Sequence, residues 1–322
     1  MPDPVAERAW PTFPFFLGCG RSGTTLVRLM FRANSQLAMV PEHYFPPAPP
    51  PRWTTPDGGL NLARAAKRIE VARWFPRFGI EPERFRAAIA AAPPATYADL
   101  VRTLYGLYAE HEGKPFYGNK TPGHVRYIPE LAAQFPEGRF VHIVRDGRDV
   151  ALSYLDQNFG PSDVPSAARF WHERVARGRE GGAQVGPGRY REIRYEDLLA
   201  NPEGELRGLC AFLDLPFEDG MLRFHELGQA RTPKRDPHGY LSKPLTSGLR
   251  DWRTQMSRAD LVLFERIAGS TLEDFGYTRA TEDPSGVERA RAALRRSGSE
   301  MGERLKAMRR RSTVALKKVR GA

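Results

Sequence analysis

A glycine-rich loop between an apolar run and a helical pattern constrains this chain more than any other feature. Residues 14–17 are apolar and bounded by proline and glycine, which is typical of a buried strand, and residues 24–33 carry apolar side chains at helical spacing. The loop between them reads G-C-G-R-S-G-T-T, with the spacing G-x-x-x-x-G-x-[ST]. Glycines at these places let backbone amides converge on a phosphate at the start of a helix. The residues predicted to bind the phosphate are Gly20, Arg21, Ser22, Gly23, Thr24 and Thr25.

The loop differs from that of a nucleoside triphosphatase in the position of its cation. Such an enzyme carries a lysine where this chain has Thr24, and uses it with a metal ion to gather the charge of three phosphates. Here the cation is Arg21. A ligand with a single 5′-phosphate joined to a sulfate carries less charge, so that backbone amides, hydroxyls and one arginine suffice without a metal. The alternative is an ordinary glycine turn.

A second predicted strand and helix meet in another motif. Residues 139–144 form an apolar strand and residues 149–157 a helix, and the junction from Arg145 to Ser153 reads R-D-G-R-D-V-A-L-S. Arg145 stands at the strand end, where a magnesium-dependent kinase would carry an aspartate. Ser153 lies in the first turns of the helix, so the two side chains can hold one phosphate together. The simpler interpretation of Asp146, Arg148 and Asp149 is a local ion pair and helix cap.

Strands alternate with helices along most of the chain. A third strand is predicted over residues 190–195, followed by a helix over 202–213 with Asn201 as its N-cap. Further helical patterns cover residues 60–75, 83–92, 97–111 and 257–277, with an irregular proline-rich loop at 46–59. This alternation predicts an α/β fold, in which a P-loop NTPase-like parallel sheet is flanked by helices on both faces.

The motifs together resemble those of the sulfotransferase superfamily that uses 3′-phosphoadenosine 5′-phosphosulfate (PAPS). The loop R-S-G-T-T-L resembles the family's 5′-phosphosulfate loop, and R-D-G-R-D-V-x-x-S its 3′-phosphate motif, which implies that Arg145 and Ser153 bind the 3′-phosphate. Y-E-D-L followed by N-P is similar to the segment whose tyrosine, here Tyr195, approaches the adenine. S-G-L-R-D-W resembles a late loop over the 3′-phosphate, but the usual R-K-G triplet is absent and Lys243 and Ser247 are the nearest substitutes.

This resemblance implies the transfer of a sulfuryl group from PAPS to a hydroxyl or amine by in-line displacement, leaving adenosine 3′,5′-bisphosphate, with no metal required. Arg21 would stabilise the leaving phosphate oxygen, and Lys120 matches a K-T/S motif beside the sulfate. Glu42 follows the first helix at the place where tyrosylprotein sulfotransferases and their bacterial relatives carry a glutamate base. His43 and His124 are alternative bases, and a reaction with no single base also stays open.

Two other functions share parts of this pattern. A P-loop nucleotide kinase or NTPase has the same loop spacing, but it needs the loop lysine and a strand-end aspartate for the metal, and both are missing. A non-catalytic nucleotide-binding scaffold would keep the phosphate contacts without requiring Lys120 and Glu42 to lie near the sulfur.

Charge and composition bound the rest of the chain. Of the net charge of +11, +9 falls on residues 285–322, which carry twelve basic and three acidic residues. This basic tail has apolar residues at a seven-residue interval and predicts a helix. Residues 286–322 are interpreted first as a solvated, partly disordered tail, with contact to an anionic membrane surface and a polyanion or partner contact as alternatives, and no specific nucleic acid is expected.

The chain is expected to divide into an extension (1–14), a sulfotransferase domain (15–278) with an acceptor-side helical insertion at about 45–112, and a linker and basic helical tail (279–322). The sequence shows no secretion signal or membrane span and has two cysteines, which predicts a cytoplasmic protein, peripheral at most to the inner membrane surface. The acceptor stays open among glycan, lipid, peptide tyrosine and small-molecule hydroxyls.

Overall fold

Five parallel strands form the central sheet of the protein, in the order β2-β3-β1-β4-β5. The computed structural model describes residues 12–228, 250–281 and, further along, 285–288, 290, 293–295, 297, 298 and 301. The strands are β1 Phe13–Gly18, β2 Leu37–Met39, β3 Phe116–Lys120, β4 Gly138–Val144 and β5 Tyr190–Arg194. β1, β4 and β5 match the three predicted strands, whereas β2 and β3 were not predicted.

Strand register determines which chain segments meet at the functional edge of the sheet. β1 pairs with β4 in parallel up to Gly18 opposite Ile143, and with β3 up to Phe16 opposite Lys120. The carboxyl ends of these three strands therefore lie side by side at one edge. In open α/β sheets this is the edge at which ligands bind.

Twelve α-helices lie among the described residues between Thr24 and Asp274. They are α1 Thr24–Arg32, α2 Leu62–Glu70, α3 Pro82–Ala91, α4 Tyr97–His111, α5 Ile128–Gln134, α6 Gly147–Leu155, α7 Val164–Val185, α8 Tyr195–Ala200, α9 Pro202–Phe212, α10 Phe224–Gly228, α11 Trp252–Gln255 and α12 Arg258–Asp274. Local capping explains several starts: Thr96 forms a capping box with Asp99 at α4, and Asn201 accepts a hydrogen bond from the Gly204 amide at α9, as predicted.

Alternate residues of the strands face two separate hydrophobic cores. Phe13 and Phe15 of β1 pack with residues of α2, α3, α4 and α5 on one side of the sheet. Phe16 of β1 and Ile143 of β4 pack with α1 and α9 on the other side. This alternation follows from the two-residue period of a strand. Helices therefore cover both faces, and the predicted α/β fold is confirmed.

The chain forms two compact units. The first comprises Met1–Val144 and Arg177–Ser247 and holds the sheet, and the second comprises Arg145–Ala176 and Gly248–Ala322 and holds α6, α11 and α12. The predicted domain boundaries stay predictions. Residues 286–288 and 293–295 are helical, and the remainder of the predicted tail lies largely outside the described residues. No helix among the described residues has the length and apolarity to cross a bilayer.

Candidate active site

The glycine loop after β1 adopts a shape that its glycines make possible. A Cβ on Gly18 would lie 2.4 Å from the carbonyl oxygen of Ile143. Gly23 has a φ of 86°, and a Cβ there would lie 2.2 Å from Cδ2 of Tyr195, whose ring packs against the loop. Arg21 also has a positive φ, of 71°, which is uncommon for a residue with a side chain. The two glycines therefore allow a close approach of strand and ring that alanine would prevent.

The end of this loop is suited to bind an anion. Gly23 is the N-cap of α1 and supplies no side-chain cap, and the first turn of the helix contains no acidic residue. The Ser22 side chain is fully buried, and its hydroxyl has no hydrogen-bond partner among the described residues. A buried hydroxyl without a partner is costly, so a ligand oxygen at this point would satisfy it. The loop residues thus fit a phosphate or phosphosulfate group at a helix N-terminus.

A lysine and a glutamate meet beside the loop. Lys120, the last residue of β3, is 1% exposed, and its ammonium forms an ion pair with Glu42 and lies 3.4 Å from the Thr25 hydroxyl. The Glu42 side chain is 51% exposed, so it is reachable from solvent. Burial lowers the pKa of Lys120, and the nearby Glu42 carboxylate opposes that shift. Two of the three predicted catalytic residues therefore lie together, in contact with the predicted phosphate loop.

Arg28 is a cation of this region that no sequence motif indicated. It lies on α1 one turn after Thr24, and burial lowers its pKa while Glu42 acts against that shift. Its Nε is buried without a hydrogen-bond partner among the described residues. The sequence signal for Arg28 is its spacing: it follows Thr24 by four residues, and residues four apart lie on the same face of a helix.

The histidines considered as alternative bases are buried and neutral. His43 is 5% exposed, with Nδ1 2.9 Å from the Pro41 carbonyl oxygen and Nε2 3.1 Å from the Tyr105 hydroxyl. His124 is 1% exposed, with Nε2 3.0 Å from the Phe45 carbonyl oxygen. Burial lowers the pKa of each to about 4. Both histidines are thus buried, whereas the Glu42 side chain is half exposed, and the identity of the base stays a prediction.

His142 on β4 is a third buried histidine with a lowered pKa. It is fully buried, and burial lowers its pKa to about 3. His43, His124 and His142 are called the three buried histidines below.

The second unit contains Arg145 and Ser153, the residues predicted to bind the 3′-phosphate. Ser153 is 6% exposed on α6, and Arg145 lies 3.5 Å from Asp149. Lys243 and Ser247 lie outside the described residues. The role of all four in nucleotide binding stays a prediction.

Arg148 has the structural role that the simpler interpretation gave it. Its guanidinium is 1% exposed and pairs with Asp146 at 2.7 Å and with Glu265 at 2.8 Å. It also stacks on the Trp252 ring, 3.6 Å from its centroid. Asp146 caps α6 by accepting a hydrogen bond from the Arg148 amide.

In the described part of the chain, no group of three or more His, Cys, Asp or Glu side chains is arranged to hold a metal ion.

The chain is similar to known sulfotransferases in sequence and in fold. It is 25% identical over 280 residues to a putative protein-tyrosine sulfotransferase of Caenorhabditis briggsae, which covers 84% of this chain and 90% of that protein. It is 29% identical to the omega-hydroxy-beta-dihydromenaquinone-9 sulfotransferase Stf3 of Mycobacterium bovis, over 52% of this chain and 42% of that protein. The chain therefore spans nearly all of one relative and less than half of the other.

The fold is shared with the sulfotransferase domain of the Synechococcus PCC 7002 olefin synthase. The TM-score is 0.56 and the identity 21%, over 83% of this chain and 95% of that domain. A family model described as the sulfotransferase family matches residues 14–219, which include the glycine loop, Glu42, Lys120 and Tyr195. The chain thus belongs to the sulfotransferase family and is an enzyme of the sulfotransferase type.

Proposed function

We propose that this protein transfers a sulfuryl group from PAPS to an acceptor hydroxyl. The observation that carries the proposal is the position of Lys120, which contacts both Thr25 of the phosphate loop and the half-exposed Glu42 carboxylate. A cation and a candidate base thus meet at the start of α1. In-line sulfuryl transfer requires such fixed positive charge near the reacting oxygens and one group that accepts the acceptor's proton.

Each residue has a separate task in this proposal. The loop amides, with the hydroxyls of Ser22, Thr24 and Thr25, bind the 5′-phosphosulfate, and Arg21 stabilises charge on the leaving phosphate oxygen. The bound donor supplies the activated sulfuryl group. Lys120 balances charge on the equatorial sulfate oxygens, and Arg28 adds positive charge from one turn further along α1. Glu42 accepts the proton of the acceptor hydroxyl from the solvent side.

The remaining donor contacts come from the sequence assignment. Tyr195 would approach the adenine, which is supported by the packing of its ring against Gly23 of the loop. Arg145, Ser153, Lys243 and Ser247 would bind the 3′-phosphate. Replacing Arg145 by alanine should then weaken the binding of adenosine 3′,5′-bisphosphate much more than that of AMP.

A hydroxyl acceptor is the class that the relatives support. The names of the two relatives refer to protein tyrosine and to an omega-hydroxylated dihydromenaquinone, and both of these carry a hydroxyl. A carboxylate such as Glu42 is suited to receive a proton from an alcohol or phenol while the sulfur is attacked. The proposal therefore favours a hydroxyl over an amine, without selecting one acceptor.

The experiment has two stages. Thermal unfolding is compared in the presence of adenosine 3′,5′-bisphosphate, ADP and Mg-ATP, and only the bisphosphate is expected to raise Tm strongly. An acceptor screen with labelled PAPS then compares the wild type with Glu42→Gln, which should lower turnover by on the order of 10²-fold or more. Preferential stabilisation by Mg-ATP would instead support a kinase or NTPase.

A further inference from the structure

The segment that carries Glu42 is held by hydrogen bonds on both sides of that residue. The Thr121 hydroxyl donates to the carbonyl oxygen of His43 at 2.7 Å. The His43 ring reaches back to the carbonyl oxygen of Pro41, with Nδ1 at 2.9 Å. Exposed Arg77 also donates to the carbonyl oxygen of Glu42 at 3.0 Å. Three successive carbonyl groups are therefore engaged, which leaves the backbone of Glu42 little freedom to rotate.

A chain of hydrogen bonds connects this segment to β3. Asn119 Nδ2 donates to the Tyr105 hydroxyl oxygen at 2.9 Å, and that hydroxyl lies 3.1 Å from His43 Nε2. A carbonyl oxygen only accepts, so His43 Nδ1 carries the proton that is donated to Pro41. His43 Nε2 is then the acceptor, and the Tyr105 hydroxyl donates to it. Every hydrogen bond in this chain has a defined donor and acceptor.

The surroundings preserve this arrangement. The four side chains involved are almost inaccessible to solvent: Asn119 1%, Tyr105 0%, His43 5% and Thr121 5% exposed. The Trp74 ring lies 4.3 Å and the Phe78 ring 5.1 Å from the His43 ring, measured between centroids. Because burial lowers the pKa of His43 to about 4, the neutral form that accepts from Tyr105 is the one present at neutral pH.

Two connections therefore link the neighbours of Lys120 to the neighbours of Glu42. The first runs from Asn119 through Tyr105 and His43 to the Pro41 carbonyl oxygen, and the second from the Thr121 hydroxyl to the His43 carbonyl oxygen. We propose that they form a positioning clamp that fixes the Glu42 carboxylate at the distance and angle from Lys120 that turnover requires. The members of the clamp are Asn119, Tyr105, His43 and Thr121. Asn119, Tyr105 and Thr121 are assigned no contact with donor or acceptor. His43, an alternative base by sequence, is 5% exposed and accepts from Tyr105, so all four act through Glu42 and Lys120. The inference rests on the proposed function, because it assumes that this pair performs the chemistry.

The clamp has a kinetic consequence that a purely structural role does not have. Misplacing a base by about 1 Å lowers the rate of the chemical step by as much as 10²-fold, whereas the phosphate loop that binds the donor is untouched. Loss of a clamp hydrogen bond should therefore lower kcat and leave donor affinity unchanged.

The test removes one hydroxyl at a time. Tyr105→Phe and Thr121→Val each keep the shape of the side chain and delete one donor, and Thr121→Ser restores the hydroxyl. We expect kcat, measured with labelled PAPS per folded enzyme, to fall about 10-fold in Tyr105→Phe and Thr121→Val and to recover in Thr121→Ser. The Kd for adenosine 3′,5′-bisphosphate should stay within about twofold of the wild type.

A matched control exists in the same unit. The Tyr190 hydroxyl lies 2.7 Å from Nδ1 of His142 and donates to Glu192 at 3.1 Å. Like the Tyr105 hydroxyl it has two partners, one of them a histidine, so Tyr190→Phe is a comparable deletion outside the clamp. This variant should lose stability and retain kcat. If Tyr105→Phe does not fold, the clamp is tested by the kcat of Thr121→Val compared with that of Thr121→Ser.

Two results separate the clamp from the function on which it rests. Unchanged kcat in Tyr105→Phe and Thr121→Val, together with an inactive Glu42→Gln, would overturn the clamp and leave the proposed function intact. Full turnover of Glu42→Gln would remove the base itself. In the double variant Glu42→Gln, Thr121→Val, the second substitution should lower the residual rate by less than about twofold, because its effect passes through Glu42.

Discussion

Replacing Lys120 by methionine should separate catalysis from stability. Lys120 is 1% exposed, and burial lowers its pKa, which means that its charged form is disfavoured by folding. Its ion-pair partner Glu42 is half exposed and stays hydrated when the ammonium is removed. Methionine keeps the length of the unbranched side chain without the charge. No buried carboxylate is therefore left unpaired by the substitution.

The expected magnitudes follow from this geometry. Replacing a buried ion pair by apolar side chains of similar volume is often neutral or stabilising by about 1–4 kcal/mol, and in this pair only the lysine is buried. At about 2–4 °C per kcal/mol, Tm should stay unchanged or rise by up to about 16 °C. Turnover should fall by on the order of 10²–10³, the loss seen when one preorganised electrostatic contact is deleted.

The pH dependence of stability gives a second readout. Because the pKa of Lys120 is lower in the folded than in the unfolded state, the unfolded state binds the extra proton between the two values. Wild-type stability therefore gains from Lys120 as the pH rises towards the ordinary lysine pKa of 10.5. Lys120→Met lacks this gain, so its advantage over the wild type should shrink with rising pH.

A second lysine provides the control. The Lys114 ammonium donates to the carbonyl oxygens of Arg32, Asn34 and Leu37 at 2.6, 2.7 and 3.1 Å. Lys114→Met deprives three acceptors of their donor and should lower Tm while preserving kcat. Thermal unfolding and initial rates with labelled PAPS measure both properties. A Lys120→Met enzyme with kcat within twofold of the wild type, or one inactive only because it is unfolded, would refute the reasoning.

Three further predictions concern the loop, the second unit and pH. Gly23→Ala should weaken adenosine 3′,5′-bisphosphate binding at least about 10-fold by calorimetry, because φ is 86° and the Tyr195 ring must move; an unchanged Kd would contradict this. Arg148→Met leaves Asp146 and Glu265 buried without their cation and should lower the free energy of unfolding in urea by about 3 kcal/mol. A variant as stable as the wild type would contradict the structural role of Arg148. The three buried histidines have folded-state pKa values of about 3–4, below the ordinary 6.5, so the unfolded state binds more protons between these values. The free energy of unfolding should therefore be highest above pH 6.5 and fall towards pH 4, by up to about 1.4 kcal/mol per histidine and pH unit. Equal urea midpoints at pH 7 and pH 5 would contradict this contribution of the histidines.

Local chemistry allowed much of this protein to be predicted from its sequence. The glycine loop lies between β1 and α1 as its spacing indicated, and α4 spans Tyr97–His111, the same residues as its helical pattern. Capping residues predicted the start of α9 at Pro202. These features depend on backbone conformation and on hydrogen bonds between neighbours in the chain, so a single sequence contains the information.

Other elements were missed because their stability comes from distant residues. β2 has three residues, and β3 reads F-Y-G-N-K, which has neither an apolar run nor a clear alternation. Both form because they pair with a neighbouring strand: β2 hydrogen-bonds to β3, and β3 to β1. α7 spans 22 residues, yet its glycines and arginines obscured the helical period. Tyr195, predicted at a strand end, begins α8 instead.

The residue types of the predicted active site were thus evident from the sequence, but their arrangement was not. Motifs identified Arg21, Glu42 and Lys120, whereas the contact of Lys120 with Thr25 depends on the register of β3 beside β1. His43 is a possible base by sequence, whereas in the fold it is buried and forms two hydrogen bonds, on which the proposed clamp depends. Sequence encodes which chemical groups are present and the local turns that carry them. Burial and hydrogen-bond partners come from segments far apart in the chain, and only the packed sheet decides them.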